Sequence, residues 1–335
     1  MKKLNVGIAG YGVVGKKRHY FINFNHNLNV VSICDITFEK KYDEIDGIKY
    51  FNNVNDLLNE KLDVLFVCLT NDVAADVTIK ALSNGFHVFC EKPPGRTLED
   101  IKKVIEEESK HENLKLKYGF NHRYHDSIIK AIELIKSGKL GTIINLRGVY
   151  GKSRIIPFSG GWRSKREIAG GGILLDQGIH MLDLMMLFCG KFIEVKSFVS
   201  NNFWNHNVED NAYAIMKNSN EVVAMLNSSA TQWEHKFSLD ISLSNGFISL
   251  SGILSGSKSY GEERITYAIR DEKSDNGQMQ SKTIKYLDDD SWKKEIDEFV
   301  NLIIEDKKVT TGNSQQAYDA MKLVFDIYNS DKDWK

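Results

Sequence analysis

The chain has little of what marks extracellular or disulfide-stabilised proteins. Its 335 residues include only 3 prolines and 4 cysteines, and no two cysteines form a C-x-x-C pair. Cys34, Cys68 and Cys90 fall in or at the end of predicted buried strands, and Cys189 ends a predicted helix. We interpret all four as free thiols rather than as disulfide partners or zinc ligands. This usage predicts a reducing, cytoplasmic location.

A large charge excess and a long apolar run are also missing. The net charge is −1 with both signs interspersed, whereas a nucleic-acid binder would carry a basic excess or a basic stripe. No apolar stretch approaches the ~20 residues that span a bilayer, and the initial Met-Lys-Lys runs into a short strand rather than an export signal. We therefore predict no nucleic-acid and no membrane partner. The 42% hydrophobic content is enough for a core in each of two domains.

A glycine motif directly follows the first predicted strand, Leu4 to Ala9. The spacing is G-x-G-x-x-G. Glycine at the first position permits a tight turn, at the second it lets the backbone approach a pyrophosphate, and at the third it allows close packing of helix on strand. The following helix points its N-terminal amides at the phosphates. We predict that a dinucleotide contacts the residues of this loop, Gly10, Tyr11, Gly12, Val13, Val14 and Gly15.

Asp35 ends the second predicted strand, 20 residues after Gly15. This is the separation expected of an acid that binds the adenosine ribose hydroxyls. A carboxylate at this place repels a 2′-phosphate, and no arginine follows it before Arg96, so the sequence favours NAD over NADP. Lys40 and Lys41 keep NADP open as the alternative.

Further strands alternate with helices up to residue 122. Strands are predicted near 48–51, 63–69, 87–90 and 114–118, giving six in all. This alternation predicts an α/β domain, residues 1–122, with a doubly wound parallel Rossmann sheet that binds its ligand at the carboxyl ends of the strands. Thr70, Asn71, Glu91 and Lys92 follow or end such strands and are predicted to lie by the nicotinamide.

The pattern changes in residues 123–335, where a long series of strands lies between helices. In the segment 237–243 apolar and polar residues alternate, which is the period-two pattern of a sheet with one buried face. We predict a second, α+β domain built on a large, mostly antiparallel open sheet. Such a sheet offers a surface for self-association, so a homodimer or homotetramer is expected.

Two motifs carry candidate catalytic groups. Lys92, in Glu91-Lys92-Pro93-Pro94, could donate a hydrogen bond to a substrate hydroxyl, or it could be a surface lysine before a proline turn. Asp176 and His180 are four residues apart on a helix predicted over 176–188, so they share a face. Histidine suits proton transfer near neutral pH, and a carboxylate one turn away can orient it. The alternatives are a capping Asp with a hydrogen-bonded interfacial His, or a metal site, for which no further ligands are evident.

Four more residues are candidates for substrate contacts. Asn121, Arg123 and Arg163 could bind hydroxyls, a carboxylate or a phosphate, and Trp162 could stack on a sugar ring. Each of them could equally have a structural role.

Together the glycine motif, Glu91-Lys92-Pro93 and the run Gly170 to Asp183 resemble the Gfo/Idh/MocA family of sugar and inositol dehydrogenases, in the family's order. The resemblance implies a catalytic trio of Lys92, Asp176 and His180 and hydride transfer between NAD and a secondary hydroxyl of a sugar. The segments 119–124 and 159–163 are similar to members that make cell-surface sugars, which implies a sugar or nucleotide-sugar substrate. An inositol or free-sugar dehydrogenase, an NAD-dependent glycosidase and a non-catalytic dinucleotide-binding regulator stay open.

Overall fold

The computed structural model describes residues 3–155, 161–255, 260–270 and 279–334, so Ser159 and Gly160 of the sugar-biosynthesis resemblance lie outside the described residues. The chain forms two compact units. The first comprises Met1–Phe120, Glu167–Gly170 and Trp292–Met321, and the second comprises Asn121–Arg166, Gly171–Ser291 and Lys322–Lys335. The sequence predicts one boundary at residue 122, and the structure differs because two later segments belong to the first unit.

The first unit is built on a seven-stranded sheet with the order β3-β4-β2-β1-β5-β6-β7. Its strands are β1 Leu4–Ala9, β2 Leu28–Cys34, β3 Tyr42–Ile45, β4 Ile48–Phe51, β5 Val64–Val67, β6 His87–Glu91 and β7 Leu116–Gly119. All neighbours are parallel except β3 and β4. This confirms the predicted Rossmann sheet. The sequence missed β3, a short edge strand whose residues are mostly exposed and so show no buried apolar run.

The α-helices in the described residues are α1 Val13–Ile22, α2 Val54–Leu58, α3 Asn71–Ser83, α4 Leu98–Glu108, α5 Asp126–Lys136, α6 Arg166–Ala169, α7 Ile179–Cys189, α8 Ser291–Ile304 and α9 Ser314–Ser330. Helix α8 belongs to the first unit from its second residue onward. Its buried Ile296, Phe299 and Val300 share one core cluster with Phe66 and Phe89 of the sheet. The sequence of an amphipathic helix shows which face is buried but not which element covers that face. The sequence alone therefore predicts α8 as part of the second domain, whose strands it follows along the chain.

A buried group of three charges ties α8 to the sheet of the first unit. Arg18 of α1 is fully buried, with its Nε 2.6 Å from Glu91 Oε1 and its Nη2 2.7 Å from Glu295 Oε2. Its guanidinium lies 4.3 Å from the ring centroid of Phe89 and 4.2 Å from that of Trp292. One positive charge thus faces two carboxylates. The pKa of Glu295 is raised to about 7, chiefly by burial and also by the charge of Glu91, while Arg18 opposes the rise.

This raised pKa predicts a pH dependence of stability. A group protonated more readily in the folded than in the unfolded state contributes stability at low pH and loses it as the pH rises through its folded pKa. For Glu295 the window runs from the usual 4.5 up to about 7. The free energy of unfolding of the wild type should fall as the pH rises across this window. Glu295→Gln keeps an acceptor for Arg18 and carries no charge, so we expect this fall to be smaller in the variant by about 1–3 kcal/mol. Urea unfolding at several pH values measures it, and an identical slope in the variant would contradict the assignment.

The second unit is built on an eight-stranded sheet with the order β15-β14-β13-β12-β8-β11-β10-β9. Its strands are β8 Ile143–Ser153, β9 Phe192–Ser200, β10 Asn211–Asn218, β11 Val223–Gln232, β12 Lys236–Leu243, β13 Gly246–Ser251, β14 Glu263–Ile269 and β15 Lys282–Tyr286. Only β8 and β11 pair in parallel, so the predicted, mostly antiparallel sheet is confirmed. The sequence missed β15, an edge strand without a fully buried residue.

One face of this sheet is covered by α7. Gly148 of β8 lies directly beneath the helix, where an added Cβ would be 2.8 Å from Met181 Sδ. Within the described residues, Arg166–Cys189 is the one helical stretch long and apolar enough to cross a membrane by composition, and 67% of its most apolar window is buried inside the protein. The sequence prediction differs because the chain has no uninterrupted apolar run of this length, whereas the helical stretch is apolar as an average over its window. The burial is that of a core helix.

Candidate active site

The glycine loop of the first unit has the close contacts that its motif requires. Gly10 has a φ of +90°, and an added Cβ would fall on the carbonyl oxygen of Cys68. A Cβ on Gly15 would likewise fall on the carbonyl oxygen of Gly10. Gly12 is different, because its Cβ would meet nothing within 4 Å. It precedes α1, whose first turn contains no acidic residue and whose start has no side-chain cap. This open, acid-free helix start fits a pyrophosphate.

Asp35 is fixed against the same loop. Its Oδ2 accepts a hydrogen bond from the Tyr11 backbone nitrogen at 2.5 Å, and its Oδ1 accepts from the Thr37 nitrogen and hydroxyl at 2.9 and 2.6 Å. Burial alone would raise the pKa of Asp35, but these hydrogen bonds and the charge of Lys16 outweigh it and hold the pKa below its usual value. The carboxylate is thus ionised at neutral pH and has a fixed orientation. Both properties suit an acceptor for ribose hydroxyls.

The strand ends β5 and β6 carry the other predicted cofactor contacts. Thr70 precedes α3 in extended conformation, and the amide of Asn71 donates to the Ala169 carbonyl at 2.7 Å. Lys92 directly follows β6 and is half-buried. Because the preceding Glu91 is held by Arg18, the backbone from which the Lys92 side chain extends has a fixed position. The cofactor roles of Thr70, Asn71, Glu91 and Lys92 stay predictions.

The second unit holds Asp176 and His180 in a local structure that the sequence did not predict. Instead of an α-helix over 176–188, a π-helical turn spans Leu174–Gly178 and α7 begins only at Ile179. The extra residue in the turn is accommodated where Gly178 approaches the neighbouring strand, since a Cβ there would be 2.7 Å from Ser228 Oγ. The predicted α-helical start at Asp176 was therefore wrong, although Asp176 and His180 lie in one continuous helical segment. Single π turns inside helices occur frequently at functional sites.

Glu209 holds the start of this turn and was missed by the sequence analysis. Its buried carboxylate accepts from the Gly172 nitrogen at 2.7 Å, the Leu174 nitrogen at 2.9 Å and the Tyr328 hydroxyl at 2.8 Å. Burial raises the pKa of Glu209, against the effect of these donors. An added Cβ on Gly172 would fall on the Glu209 carbonyl oxygen. Gly172 thus allows the chain to approach Glu209 closely, and the hydrogen bonds to Glu209 fix the backbone that leads to Asp176.

Two cations and an indole accompany Asp176. Arg163 Nε lies 3.5 Å from Asp176 Oδ2, and its guanidinium is 4.4 Å from the centroid of the Trp162 ring. Lys152 of β8, also missed by the sequence analysis, is half-buried, and burial lowers its pKa, with Arg163 adding to the shift and Asp176 opposing it. A carboxylate, cations and a flat ring are the groups that bind a polyhydroxylated ring. The substrate roles of Trp162 and Arg163 stay predictions that this grouping supports.

A 3-10 turn, Asn121–Tyr124, carries the remaining predicted substrate contacts. Arg123 is buried and donates to both oxygens of Asp183, from Nε at 2.8 Å and from Nη2 at 2.5 Å. The amide nitrogen of Asn121 donates to the Ser291 hydroxyl at 3.2 Å. Their substrate roles stay predictions, and the contacts shown are internal to the second unit. Among the described residues no group of three or more His, Cys, Asp or Glu could hold a metal ion.

Comparison with known proteins identifies the class first. A family model described as an oxidoreductase family with an NAD-binding Rossmann fold matches residues 4–120. A second, the GFO/IDH/MocA C-terminal domain, matches residues 128–249. The chain therefore belongs to the Gfo/Idh/MocA family of oxidoreductases and has its NAD-binding Rossmann fold.

Individual relatives agree with this assignment. The chain is 31% identical over 160 residues to inositol 2-dehydrogenase of Salmonella typhimurium, covering 46% of this chain and 48% of that protein. The match thus spans about half the length of that relative. This chain is also 29% identical to D-glucoside 3-dehydrogenase of Escherichia coli K12, in a match that covers 98% of this chain and 95% of that protein. Among solved structures, a levoglucosan dehydrogenase in complex with NADH and levoglucosan superimposes with a TM-score of 0.82 at 21% identity, covering 98% and 97% of the two chains.

Proposed function

We propose that this protein is an NAD-dependent dehydrogenase that oxidises a secondary hydroxyl on a sugar ring to a ketone, or reduces the ketone. The observation that carries the proposal is the Asp176–His180 segment. It places a carboxylate and an imidazole in a π-helical turn and the first turn of α7, next to Arg163. A segment with only a structural task would not need an irregular helix whose start is anchored by a buried carboxylate.

Each of the three catalytic residues has its own proposed role. His180 takes the proton of the reacting hydroxyl during oxidation and returns it during reduction. Lys92 donates a hydrogen bond to the reacting oxygen and stabilises its negative charge. Asp176 orients the substrate or the imidazole. Bound NAD would supply the acceptor for the hydride that leaves the carbinol carbon. The glycine loop and Asp35 hold the cofactor.

The substrate class is a sugar whose ring carries several hydroxyls. The names of the relatives favour free sugars, glycosides or cyclitols. The finer prediction, a sugar or nucleotide-sugar of cell-surface glycan synthesis, is supported by the cations Lys152 and Arg163, which would attract an anionic substituent. Both substrate classes require the same three catalytic groups, so a substrate panel separates them.

The test is NADH formation by the purified protein with NAD and a panel of free sugars, glycosides, inositols and nucleotide-sugars. We expect sustained NADH formation with at least one ring carrying a free secondary hydroxyl. A response only to nucleotide-sugars assigns the enzyme to biosynthesis, and a response only to inositols makes it a cyclitol dehydrogenase. NAD binding without any turnover across the panel would overturn the proposal in favour of the regulator. Glycoside cleavage without net NADH would overturn it in favour of the glycosidase.

We further propose that the protein works in the cytoplasm and as a homo-oligomer. Burial raises the pKa of Cys34 and Cys90 to about 12 and of Cys189 to about 11. Thiols of this kind persist unpaired in a reducing compartment.

The face of the second-unit sheet opposite α7 carries exposed apolar side chains on adjacent strands, Phe198, Tyr213, Ile215, Val223 and Met225.

A second copy of the chain suits this face, because strands with aligned apolar rows can pack sheet on sheet. We expect light scattering to give the mass of a dimer or tetramer for the wild type. Ile215→Asp, at the centre of the apolar rows, should shift the protein towards monomer. Thr283→Asp, on the edge strand β15, is the matched control and should not. A wild-type protein that is monomeric at all concentrations would contradict the proposal.

A further inference from the structure

A pair of stacked imidazoles lies inside the second unit. The rings of His122 and His180 are nearly parallel, 11° apart, with centroids separated by 3.8 Å, and both side chains are buried. The other sides of His122 are enclosed by the rings of His125, Tyr150 and Phe237, at centroid distances of 5.6, 5.6 and 6.1 Å. In so closely packed a setting the His122 ring cannot turn without displacing its neighbours. It therefore presents a fixed flat surface to His180.

A directional chain of hydrogen bonds determines which nitrogen of His122 carries the proton. The carboxylate of Asp289 can only accept, so the Ser291 hydroxyl 2.6 Å away donates to it. The Ser291 oxygen then accepts from the Asn121 amide nitrogen at 3.2 Å. This orientation turns the Asn121 carbonyl oxygen towards His122 Nδ1, 3.2 Å away, and that oxygen requires a donor. His122 Nδ1 accordingly carries the hydrogen.

The second nitrogen of His122 is then an acceptor. His122 Nε2 lies 3.0 Å from the Tyr150 hydroxyl. Burial raises the pKa of Tyr150 well above its usual value, so the phenol keeps its proton and donates it to Nε2. Every polar atom in this chain is satisfied by a neutral His122 with its proton on Nδ1.

Neutrality matters because of the stack. Two protonated imidazoles at this separation would repel each other, whereas a neutral ring offers a polarisable face to a charged one. Charged or titratable groups on the segments around the pair include Asp176 and Tyr260 near the π turn, the Arg123–Asp183 ion pair, and His125, whose Nδ1 is 2.7 Å from Glu263 Oε2. Arg123 and Asp183 neutralise each other locally, and His125 is hydrogen-bonded to Glu263. The charge of His180 can therefore change while His122 stays neutral.

We propose that His122 is a positioning residue for His180: held as the neutral Nδ1–H tautomer by Asn121 and Tyr150, it fixes the orientation of the catalytic imidazole and leaves it free to take up a proton. This inference rests on the proposed role of His180. It assigns a task to a residue of the Asn121–Tyr124 turn for which the sequence suggested none.

Three variants of the full chain separate the ring surface from the hydrogen bonds. We expect His122→Ala to lower kcat about 10- to 100-fold with KM for the sugar within about threefold of wild type, because only the orientation of the base is lost. His122→Phe keeps a flat ring and should retain most of the activity. Tyr150→Phe removes the donor to Nε2, so His122 can compete for a proton. The acid limb of the pH profile for oxidation should then move to lower pH. Unchanged kcat in His122→Ala and an unmoved pH profile in Tyr150→Phe would overturn the proposal.

A measurement without turnover keeps the inference separate from the proposed function. Nitrogen NMR of the protein labelled in its 9 histidines, with the His122 signals identified by their loss in His122→Phe, reports the tautomer directly. We expect the Nδ1–H form from about pH 6 to about pH 8. A proton on Nε2, or a cationic ring in this range, would refute the inference even in an active enzyme. The expected tautomer in a protein that oxidises no sugar would instead leave the network intact and refute the proposed function.

Discussion

Replacing His180 by alanine lowers the turnover number for sugar oxidation by about a hundred- to ten-thousand-fold and leaves the affinity for NAD unchanged. The size follows from the usual contribution of a general acid–base group. The affinity for NAD is preserved because the residues of the glycine loop and Asp35 belong to the first unit, whereas His180 is buried in the second. Steady-state kinetics together with calorimetric titration of NAD measure both quantities.

Lys92→Met should lower turnover by a similar factor, and the double variant should lose little more than either single one, because the two groups act on one proton transfer. His26→Ala, which removes an exposed imidazole of the first unit, is the matched control and should keep full activity. Turnover of the His180→Ala protein within a few-fold of wild type would show that another residue is the base.

Substituting the glycines of the loop separates cofactor binding from folding. Gly12→Ala should leave the unfolding transition of the cofactor-free protein where it is, because its Cβ would meet no atom within 4 Å and its φ of −72° suits alanine. The same methyl group would occupy the space that a pyrophosphate needs. We therefore expect the affinity for NAD to fall by about a hundredfold, which corresponds to ~2.7 kcal/mol.

Gly15→Ala is the contrasting variant, because its Cβ would fall on the carbonyl oxygen of Gly10. It should lose NAD binding and also unfold at a lower temperature, as overpacking typically costs about 1–3 kcal/mol. Thermal unfolding and calorimetry of the two variants side by side give the comparison. If Gly12→Ala binds NAD as tightly as wild type does, the pyrophosphate does not lie at this turn.

The parts of the fold that the sequence predicted are those in which one local pattern decides the structure. A glycine spacing after an apolar run is enough to place β1, the turn and α1, and twenty residues later Asp35. The alternating pattern of β12 likewise specifies a sheet with one buried face. In these places each residue's own size or polarity determines its position, and no distant partner is needed.

The parts that the sequence missed depend on distant partners. The sequence around Arg18 predicts a surface residue of an ordinary helix, because its partner Glu295 lies on the distant helix α8. Glu209 is 37 residues from Gly172, whose backbone it binds. The stack of His122 on His180 joins residues that are far apart in the chain. No local sequence period predicts such pairs. The π turn at Asp176 is not predicted for the same reason, because its extra residue depends on a neighbouring strand.

The transfer of deuterium from substrate to cofactor tests the central claim most directly. A responding sugar, deuterated at the carbon that bears the reacting hydroxyl, is incubated with the protein and NAD, and both products are analysed by mass spectrometry. We predict one deuterium in each NADH formed and an equal amount of the keto-sugar. Unlabelled cofactor after the sugar has been consumed, or cleavage products that keep the deuterium without net NADH, would contradict a dehydrogenase that transfers hydride from a secondary carbinol to a cofactor that it releases.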